Sequence, residues 1–195
     1  MIAIHPTRIS GPWKAGFALD RQIVSSEFVG YNEFGHPMFN TQRTDLGELL
    51  YRLKYRADTA VLPEIVDAVV DYIQQSWKPR ITLIVPVPAS QARRAQPVQQ
   101  LAGELGKRMG IPVSLKAVRK TKATPQLKNV HDFSRRGSML EGAISSNPAV
   151  TAGQKILLLD DLYQSGATMC AVAKTILREG QAGEVYALAL TRSRK

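Results

Sequence analysis

The sequence is poor in cysteine and in long apolar runs, and each scarcity excludes a class of protein. One cysteine, Cys170, in 195 residues rules out a disulfide scaffold and a structural zinc site built on cysteines. No apolar run approaches the roughly 18 residues that a membrane-spanning helix needs. Residues 1–20 lack the apolar core of a secretory signal peptide. We therefore expect a soluble, cytoplasmic protein with no membrane partner.

Acidic residues are also scarce relative to basic ones. The chain has 26 Lys and Arg residues against 16 Asp and Glu residues, so its formal net charge is +10. Such a surface attracts polyanions, and both a nucleic acid and a small polyphosphate fit that description. Residues 116–136 are strongly basic, with Asp132 as their one acidic residue. The same segment has a single aromatic residue, Phe133, which is few for a groove that stacks bases.

Apolar residues recur every three or four positions in four segments, which predicts four amphipathic helices. Thr44 is placed to cap the first helix, Pro63 lies in the first turn of the second, and Gly110 ends the third. The four segments are 46–53, 62–73, 98–109 and 169–177.

Short apolar runs without that period predict buried strands at 81–87, 155–159 and 184–190, and a further strand at 113–118. The last two buried strands enclose a predicted helix. A strand, a helix and a strand in this order form a right-handed crossover onto a parallel sheet. The predicted fold class is therefore α/β, with a central and mostly parallel sheet flanked by helices.

The first 43 residues are punctuated by glycine and proline and predict an irregular N-terminal region, called the hood, ahead of the main domain at 44–195. A strand at 21–31 and a turn at 32–35 predict a hairpin within this hood. Its ring-bearing side chains are suited either to stacking on a flat base or to forming a small core under the hairpin, and we favour the core. They are Phe28, Tyr31, Phe34, His36 and Phe39.

The segment Ile156–Thr168 carries the clearest chemical signal. Four apolar residues precede two carboxylates, Asp160 and Asp161, and a small polar loop then opens a helix. In open α/β sheets, ligands bind beyond the carboxyl ends of strands, and the N–H groups at a helix N-terminus favour an anion. Gly166 lets that backbone approach a phosphate closely. Because carboxylates accept hydrogen bonds from sugar hydroxyls, directly or through Mg²⁺, the segment predicts a ribose 5-phosphate site.

A purely structural alternative stays open, in which the aspartates cap a helix and the glycine makes a turn. Neighbouring residues of a strand point to opposite faces, so only one of the two carboxylates can contact a ligand unless the chain turns between them.

The segment 156–168 resembles the phosphoribosyl pyrophosphate (PRPP) loop of the type I phosphoribosyltransferases. The ComF-like branch of that family is favoured by four further motifs, which recur in the right order. They are Tyr51–Tyr55 (Tyr-Arg-Leu-Lys-Tyr), Val85–Pro88 (Val-Pro-Val-Pro) followed by Arg93 and Arg94, Thr124–Gln126 (Thr-Pro-Gln), and Glu141–Ala143 (Glu-Gly-Ala).

The resemblance implies a role for each matching residue. Asp160 and Asp161 would hold the ribose hydroxyls. The 5-phosphate loop would consist of Gln164, Ser165, Gly166, Ala167 and Thr168. The pyrophosphate would lie against Ala89, Ser90, Arg93 and Arg94, although the arginines are as well suited to a solvated surface. A flap that closes over the reacting centre would include Arg119, Lys120, Lys122, Thr124 and Gln126, with a simple exposed loop as its alternative.

The same resemblance implies an activity: pyrophosphate is displaced from C1 of PRPP by an acceptor, a nitrogenous base of unknown identity. The protein alone provides no metal site, and Mg²⁺ would arrive with PRPP and touch Asp160 and Asp161. The alternative is a PRPP-fold module that binds single-stranded DNA or senses a ligand, because ComF-like proteins are linked with DNA uptake. A homodimer would be in keeping with the family.

Three features depart from the family pattern. Gln164 and Ser165 stand where two threonines are usual, which we expect to be tolerated because backbone amides do most of the binding there. The N-terminal cysteine pairs of many ComF-like proteins are absent. The Arg-Gly-Phe-Asn-Gln run is also missing, and the sequence from Arg94 reads Arg-Ala-Gln-Pro-Val instead.

Overall fold

The computed structural model describes residues 2–89, 96–121 and 142–193. Within them, a five-stranded sheet has the order β1-β2-β9-β8-β5, and two further strand pairs are β3–β4 and β6–β7. The strands are β1 Thr7–Arg8, β2 Ala15–Arg21, β3 Ile23–Tyr31, β4 Pro37–Arg43, β5 Leu83–Pro86, β6 Val118–Lys120, β7 Ile144–Ser146, β8 Lys155–Tyr163 and β9 Glu184–Arg192. Four of the five main strands run parallel, and β1 is antiparallel to β2.

The four helices predicted from the spacing of apolar residues are present, and a short fifth helix, α4 at Pro148–Thr151, was not predicted. They are α1 Asp45–Tyr55, α2 Leu62–Asp71, α3 Pro97–Met109, α4 Pro148–Thr151 and α5 Ala167–Arg178. Thr44 caps α1 by accepting a hydrogen bond from the Gly47 N–H, and Pro63 lies at the start of α2. A π-helical turn, Tyr72–Trp77, continues α2, and Gly110 ends α3 in the left-handed conformation.

The core consists of two apolar clusters, one on each face of the main sheet. Alternate side chains of β8 divide between them, because neighbouring strand residues point to opposite faces. Leu157 and Leu159 pack with α1, α2 and α3, whereas Ile156 and Leu158 pack with α5 and with Val118 of β6. This arrangement confirms the predicted α/β class, a mostly parallel sheet flanked by helices.

The N-terminal region contributes more to the main sheet than its irregular sequence suggests. Strand β2 pairs in parallel with β9, from Ala15 opposite Tyr186 to Arg21 opposite Arg192. The predicted strand at 21–31 is shorter than expected, because Arg21 still belongs to β2. The hood boundary at residue 43 stays a prediction, but the main sheet draws strands from both sides of it.

The predicted hairpin is present as β3 and β4, joined by a turn in which the Asn32 side chain accepts the N–H groups of Phe34 and His36. The predicted core beneath it is wrong, because no residue of 23–43 is buried. Tyr31 and Phe34 are 67% and 76% exposed, and the rings of Phe28, Tyr31 and Phe39 contact one another rather than a core. A two-stranded sheet that lies outside the core leaves most of its side chains in solvent.

The predicted strand at 113–118 is only partly present. Val113 forms a single parallel bridge to Ile84, and regular pairing begins at Val118, which is antiparallel to Ser146.

Two helical glycines lie in opposite surroundings and give a matched pair of substitutions. A Cβ atom on Gly47, in the first turn of α1, would collide with the backbone carbonyl of Gln22, whereas one on Gly103 of α3 would meet nothing within 4 Å. We expect Gly47→Ala to lower the free energy of unfolding by about 2 kcal/mol, because the backbone must move. Gly103→Ala should raise it by about 1 kcal/mol, as alanine favours helix. Urea denaturation measures the change in unfolding free energy of both variants. A change of the same sign in both would contradict the packing described for α1.

Candidate functional site

The chemically distinctive side chains gather at the carboxyl edge of the main sheet. The segment after β5 meets this edge beside β8, where the Val87 N–H donates to the Leu159 carbonyl at 2.8 Å. Two buried polar atoms at the ends of β2 and β9, Oδ2 of Asp20 and Nε of Arg192, have no hydrogen-bond partner among the described residues. Unpaired buried polar groups are costly, and they are uncommon where a sheet edge serves packing alone.

Strand β8 is longer than predicted, and this fixes the direction of the two carboxylates. Asp160 and Asp161 lie inside the strand, because pairing with β9 continues to Tyr163 opposite Arg192. Asp160 therefore continues the row of Leu158 on the α5 face, and Asp161 points to the opposite face, where its carboxylate contacts α1. The chain does not turn between them, so the two carboxylates leave the strand on opposite sides.

The Asp161 carboxylate forms an ion pair with a lysine that is far away in the sequence. Nζ of Lys54, in the last turn of α1, lies 2.7 Å from Oδ2 of Asp161, and each side chain is 16% exposed. The Thr191 hydroxyl also donates to the Asp161 carbonyl oxygen at 3.0 Å. Asp161 is thus held by α1 through its side chain and by β9 through its backbone.

Asp160 has the largest electrostatic perturbation at this edge. Burial, with the neighbouring Asp161 charge as a second cause, raises the pKa of Asp160 to about 8 from its ordinary value of 3.8. The Asp161 N–H donates to Asp160 Oδ1 at 2.9 Å, which opposes that rise in pKa but does not cancel it. A carboxyl group with a strongly raised pKa at the end of a strand is typical of functional sites.

The loop between β8 and α5 forms a compact N-terminal turn. Gly166 precedes α5 with φ of +76°, a left-handed conformation that favours glycine. The Tyr163 ring occupies the space beside it, so that a Cβ on Gly166 would lie 2.5 Å from the Tyr163 hydroxyl oxygen. That hydroxyl donates to the Ser10 carbonyl at 3.3 Å. Gly166 is therefore buried, and the Tyr163 ring fills the space that a side chain at this position would need.

Strand β9 also supports the same loop. The Ser193 N–H donates to the Tyr163 carbonyl at 3.1 Å, and the Ser193 hydroxyl donates to the Gln164 carbonyl at 3.4 Å. Within the loop, the Ala167 N–H lies 3.5 Å from the Ser165 hydroxyl. Apart from the Ala167 N–H, which donates to Ser165, the first N–H groups of α5 have no acceptor inside the helix and so suit an anion.

The predicted pyrophosphate and flap residues are only partly described. Ala89 is exposed and follows the segment that meets β8, while Ser90, Arg93, Arg94, Lys122, Thr124 and Gln126 lie outside the described residues. Arg119 and Lys120 lie in β6, which pairs antiparallel with β7. These two strands come before and after residues 122–141 in the sequence. The Arg119 Nε donates to the Ser145 hydroxyl at 3.3 Å, and burial lowers the pKa of Lys120.

A resident metal ion does not suit this edge. The described residues contain no group of three or more His, Cys, Asp or Glu side chains placed to hold a metal. Asp161 is already paired with Lys54, which leaves Asp160 with the freer carboxyl group. A divalent cation here would therefore take most of its ligands from a bound phosphate compound and from water.

Sequence comparison relates the chain to a competence protein. It is 26% identical to competence protein ComFC of Bacillus subtilis over 153 residues. The aligned region covers 75% of this chain and 59% of ComFC. The chain thus matches somewhat more than half the length of that relative. No family model matches the sequence.

Structural comparison decides the fold. Glutamine PRPP amidotransferase from B. subtilis, solved with ADP and GMP, superposes with a TM-score of 0.50 at 16% identity, over 81% of this chain and 34% of that one. The fold is that of the type I phosphoribosyltransferases. Adenine phosphoribosyltransferase from Saccharomyces cerevisiae gives a TM-score of 0.47 at 13% identity, over 86% of this chain and 85% of that one. Among the described residues, no helix is both long and apolar enough to cross a bilayer.

Sequence reasoning missed two residues that the structure places at the site. Lys54 belongs to the Tyr51–Tyr55 motif, which the sequence marks without a role, because nothing in the sequence indicates that α1 packs beside the end of β8. Tyr163 lies inside the PRPP-loop segment, and its ring lies against Gly166 only in the folded chain. An aromatic residue three positions before a loop glycine was the available signal.

Proposed function

We propose that the protein binds PRPP and transfers its 5-phosphoribosyl group to a nitrogenous acceptor with release of pyrophosphate. The observation that carries the proposal is the continuous segment from Asp160 to Thr168, in which the last part of β8 carries two carboxylates and a glycine loop opens α5. In a phosphoribosyltransferase fold, that junction suits a phosphorylated pentose, with the end of β8 near the sugar and the N–H groups of 164–168 near the 5-phosphate.

The reaction would form one bond and break another at C1 of the ribose. The acceptor nitrogen bonds to C1 as the C1–O bond to pyrophosphate breaks, and the electron pair leaves with the pyrophosphate. The nitrogen releases its proton to solvent. Positive charge develops on the sugar ring, as in glycoside chemistry, so a carboxylate beside the ring stabilises the transition state. Mg²⁺ bound with PRPP would offset the charge of the departing group.

Calorimetric titration with PRPP and Mg²⁺ tests the proposal directly. We expect one site per chain with a Kd in the range of about 1 μM to 1 mM, which is usual for enzyme substrates. A pyrophosphate-release assay against a panel of purine and pyrimidine bases should then identify an acceptor. Binding without release would support a PRPP sensor, and absence of binding would reject the site assignment.

Single-stranded nucleic acid is the second candidate ligand, and the exposed hairpin favours it. The sequence supplies a net charge of +10, and the hairpin of β3, its turn and β4 presents Phe28, Tyr31, Phe34 and Phe39 to solvent, where they can stack on bases. A nucleic-acid complex would lose affinity steeply as salt rises from about 50 to 200 mM, whereas PRPP binding would depend on Mg²⁺ and on the two aspartates. The cytoplasmic location and the homodimer stay predictions, and light scattering tests the second.

A further inference from the structure

We propose that Lys54 is the positioning residue of the ribose site: it fixes the Asp161 carboxylate and offsets its charge so that a sugar phosphate can bind. This inference rests on the proposed function and concerns the same site. It assigns a role to the Tyr51–Tyr55 motif, which neither the PRPP loop nor the fold explains.

The geometry singles out this pair among the ion pairs of the described residues. Lys54 and Asp161 lie 2.7 Å apart with 16% of each side chain exposed, whereas the Lys14–Glu184 pair has the same distance but a lysine that is 60% exposed. Exposed pairs contribute little, while a half-buried pair is screened less and holds its carboxylate in one orientation.

The position of Lys54 is fixed by its helix. Helix α1 buries Leu49, Leu50 and Leu53 in the core, and its first turn rests against the Gln22 carbonyl beside Gly47. Lys54 lies in the last turn of α1, where the helix dipole favours a cation. The ammonium group therefore stays beside the end of β8 at little entropic cost.

The ligand explains why a cation is needed there. A ribose phosphate brings negative charge to an edge that already carries the Asp161 carboxylate, and like charges oppose binding. Lys54 compensates one carboxylate and leaves its second oxygen free to accept a hydrogen bond from a sugar hydroxyl. Since Asp161 and Asp160 leave β8 on opposite faces, the Lys54 contact also decides how Asp161 is oriented.

The test compares Lys54 variants with a matched ion pair elsewhere. Lys54→Met keeps the aliphatic stem and removes the charge, Lys54→Arg keeps the charge, and Lys14→Met removes an equally short pair at the opposite end of β9. Binding of ribose 5-phosphate, measured by calorimetry without Mg²⁺, should weaken about tenfold in Lys54→Met, by less than about twofold in Lys14→Met, and by no more than about threefold in Lys54→Arg. Thermal unfolding confirms that each variant is folded.

A double variant separates positioning from a merely structural contact. If Lys54 acts through Asp161, then Lys54→Met combined with Asp161→Asn should bind ribose 5-phosphate no more weakly than Asp161→Asn alone. Additive losses would overturn the inference, as would Lys54→Met binding like the wild type. Should Lys54→Met not fold, Lys54→Gln takes its place in the same comparison. Wild-type protein that binds neither ribose 5-phosphate nor PRPP would overturn the proposed function itself, which is a different result.

Discussion

Replacing Gly166 by alanine should weaken PRPP binding by at least about 100-fold, or about 2.7 kcal/mol, while the protein remains folded. The glycine has φ of +76° at the start of α5, and alanine is strained in that conformation by about 1–2 kcal/mol. An added Cβ would also meet the Tyr163 ring. The loop must then shift or the ring must leave, and either movement displaces the N–H groups proposed to surround the 5-phosphate.

Gly110 provides the matched control for this substitution. It ends α3 with φ of +66°, and a Cβ there would meet nothing within 4 Å. Gly110→Ala should therefore cost similar stability through backbone strain yet leave PRPP affinity within about twofold. Calorimetric titration and thermal unfolding of both variants make the comparison. If Gly166→Ala binds PRPP as Gly110→Ala does, the phosphate loop has been assigned to the wrong segment.

Asp160→Asn should make the protein more stable and less able to bind PRPP. Burial raises the pKa of Asp160 to about 8 in the folded chain, against 3.8 ordinarily, so from about pH 4 to pH 8 the folded state holds a proton that the unfolded state has released. The wild type therefore loses stability as pH rises through that window. Asparagine cannot ionise, so the variant should gain at least about 2 kcal/mol at about pH 8 and nothing near pH 4.

Asp161→Asn should change stability in the opposite direction to Asp160→Asn. Its carboxylate is paired with Lys54, so neutralising it leaves a half-buried ammonium group without its partner and should lower stability at about pH 8. Urea denaturation of both variants at about pH 4.5 and pH 8 measures whether each substitution raises or lowers the free energy of unfolding. Stabilisation by both substitutions, or by neither, would contradict the electrostatic account of the edge. A gain in stability with a loss of binding is typical of residues kept for function.

The helices and the buried strands were predictable because burial imposes a period on the sequence. Leu46, Leu49, Leu50 and Leu53 fall on one face of α1 at helical spacing, and all four are buried. Strand β2 was missed because Ala15, Gly16 and Ala18 have low strand propensity. Small residues are needed there for packing, since a Cβ on Gly16 would collide with the Trp13 ring.

The site was predictable where its parts are contiguous and hidden where they are not. Asp160 and Asp161 lie near the end of one strand and Gly166 follows it, so their order along the chain is enough to place them together. The Lys54 contact joins α1 to β8 across about half the chain, and only the packing of α1 brings it there. The aromatic residues of the hairpin were predicted to form a core because the sequence shows that they are apolar. It does not show whether another element packs over them.

The pairing of β2 with β9 has a consequence for how the chain acquires its structure during synthesis. Ala15 is translated long before its partner Tyr186. The middle of the sheet cannot close until β9 has left the ribosome, and contacts of such long separation slow folding. We expect β2 to pair first with β1 and to wait for its neighbour β9, so that the carboxyl edge forms only once β9 has been added.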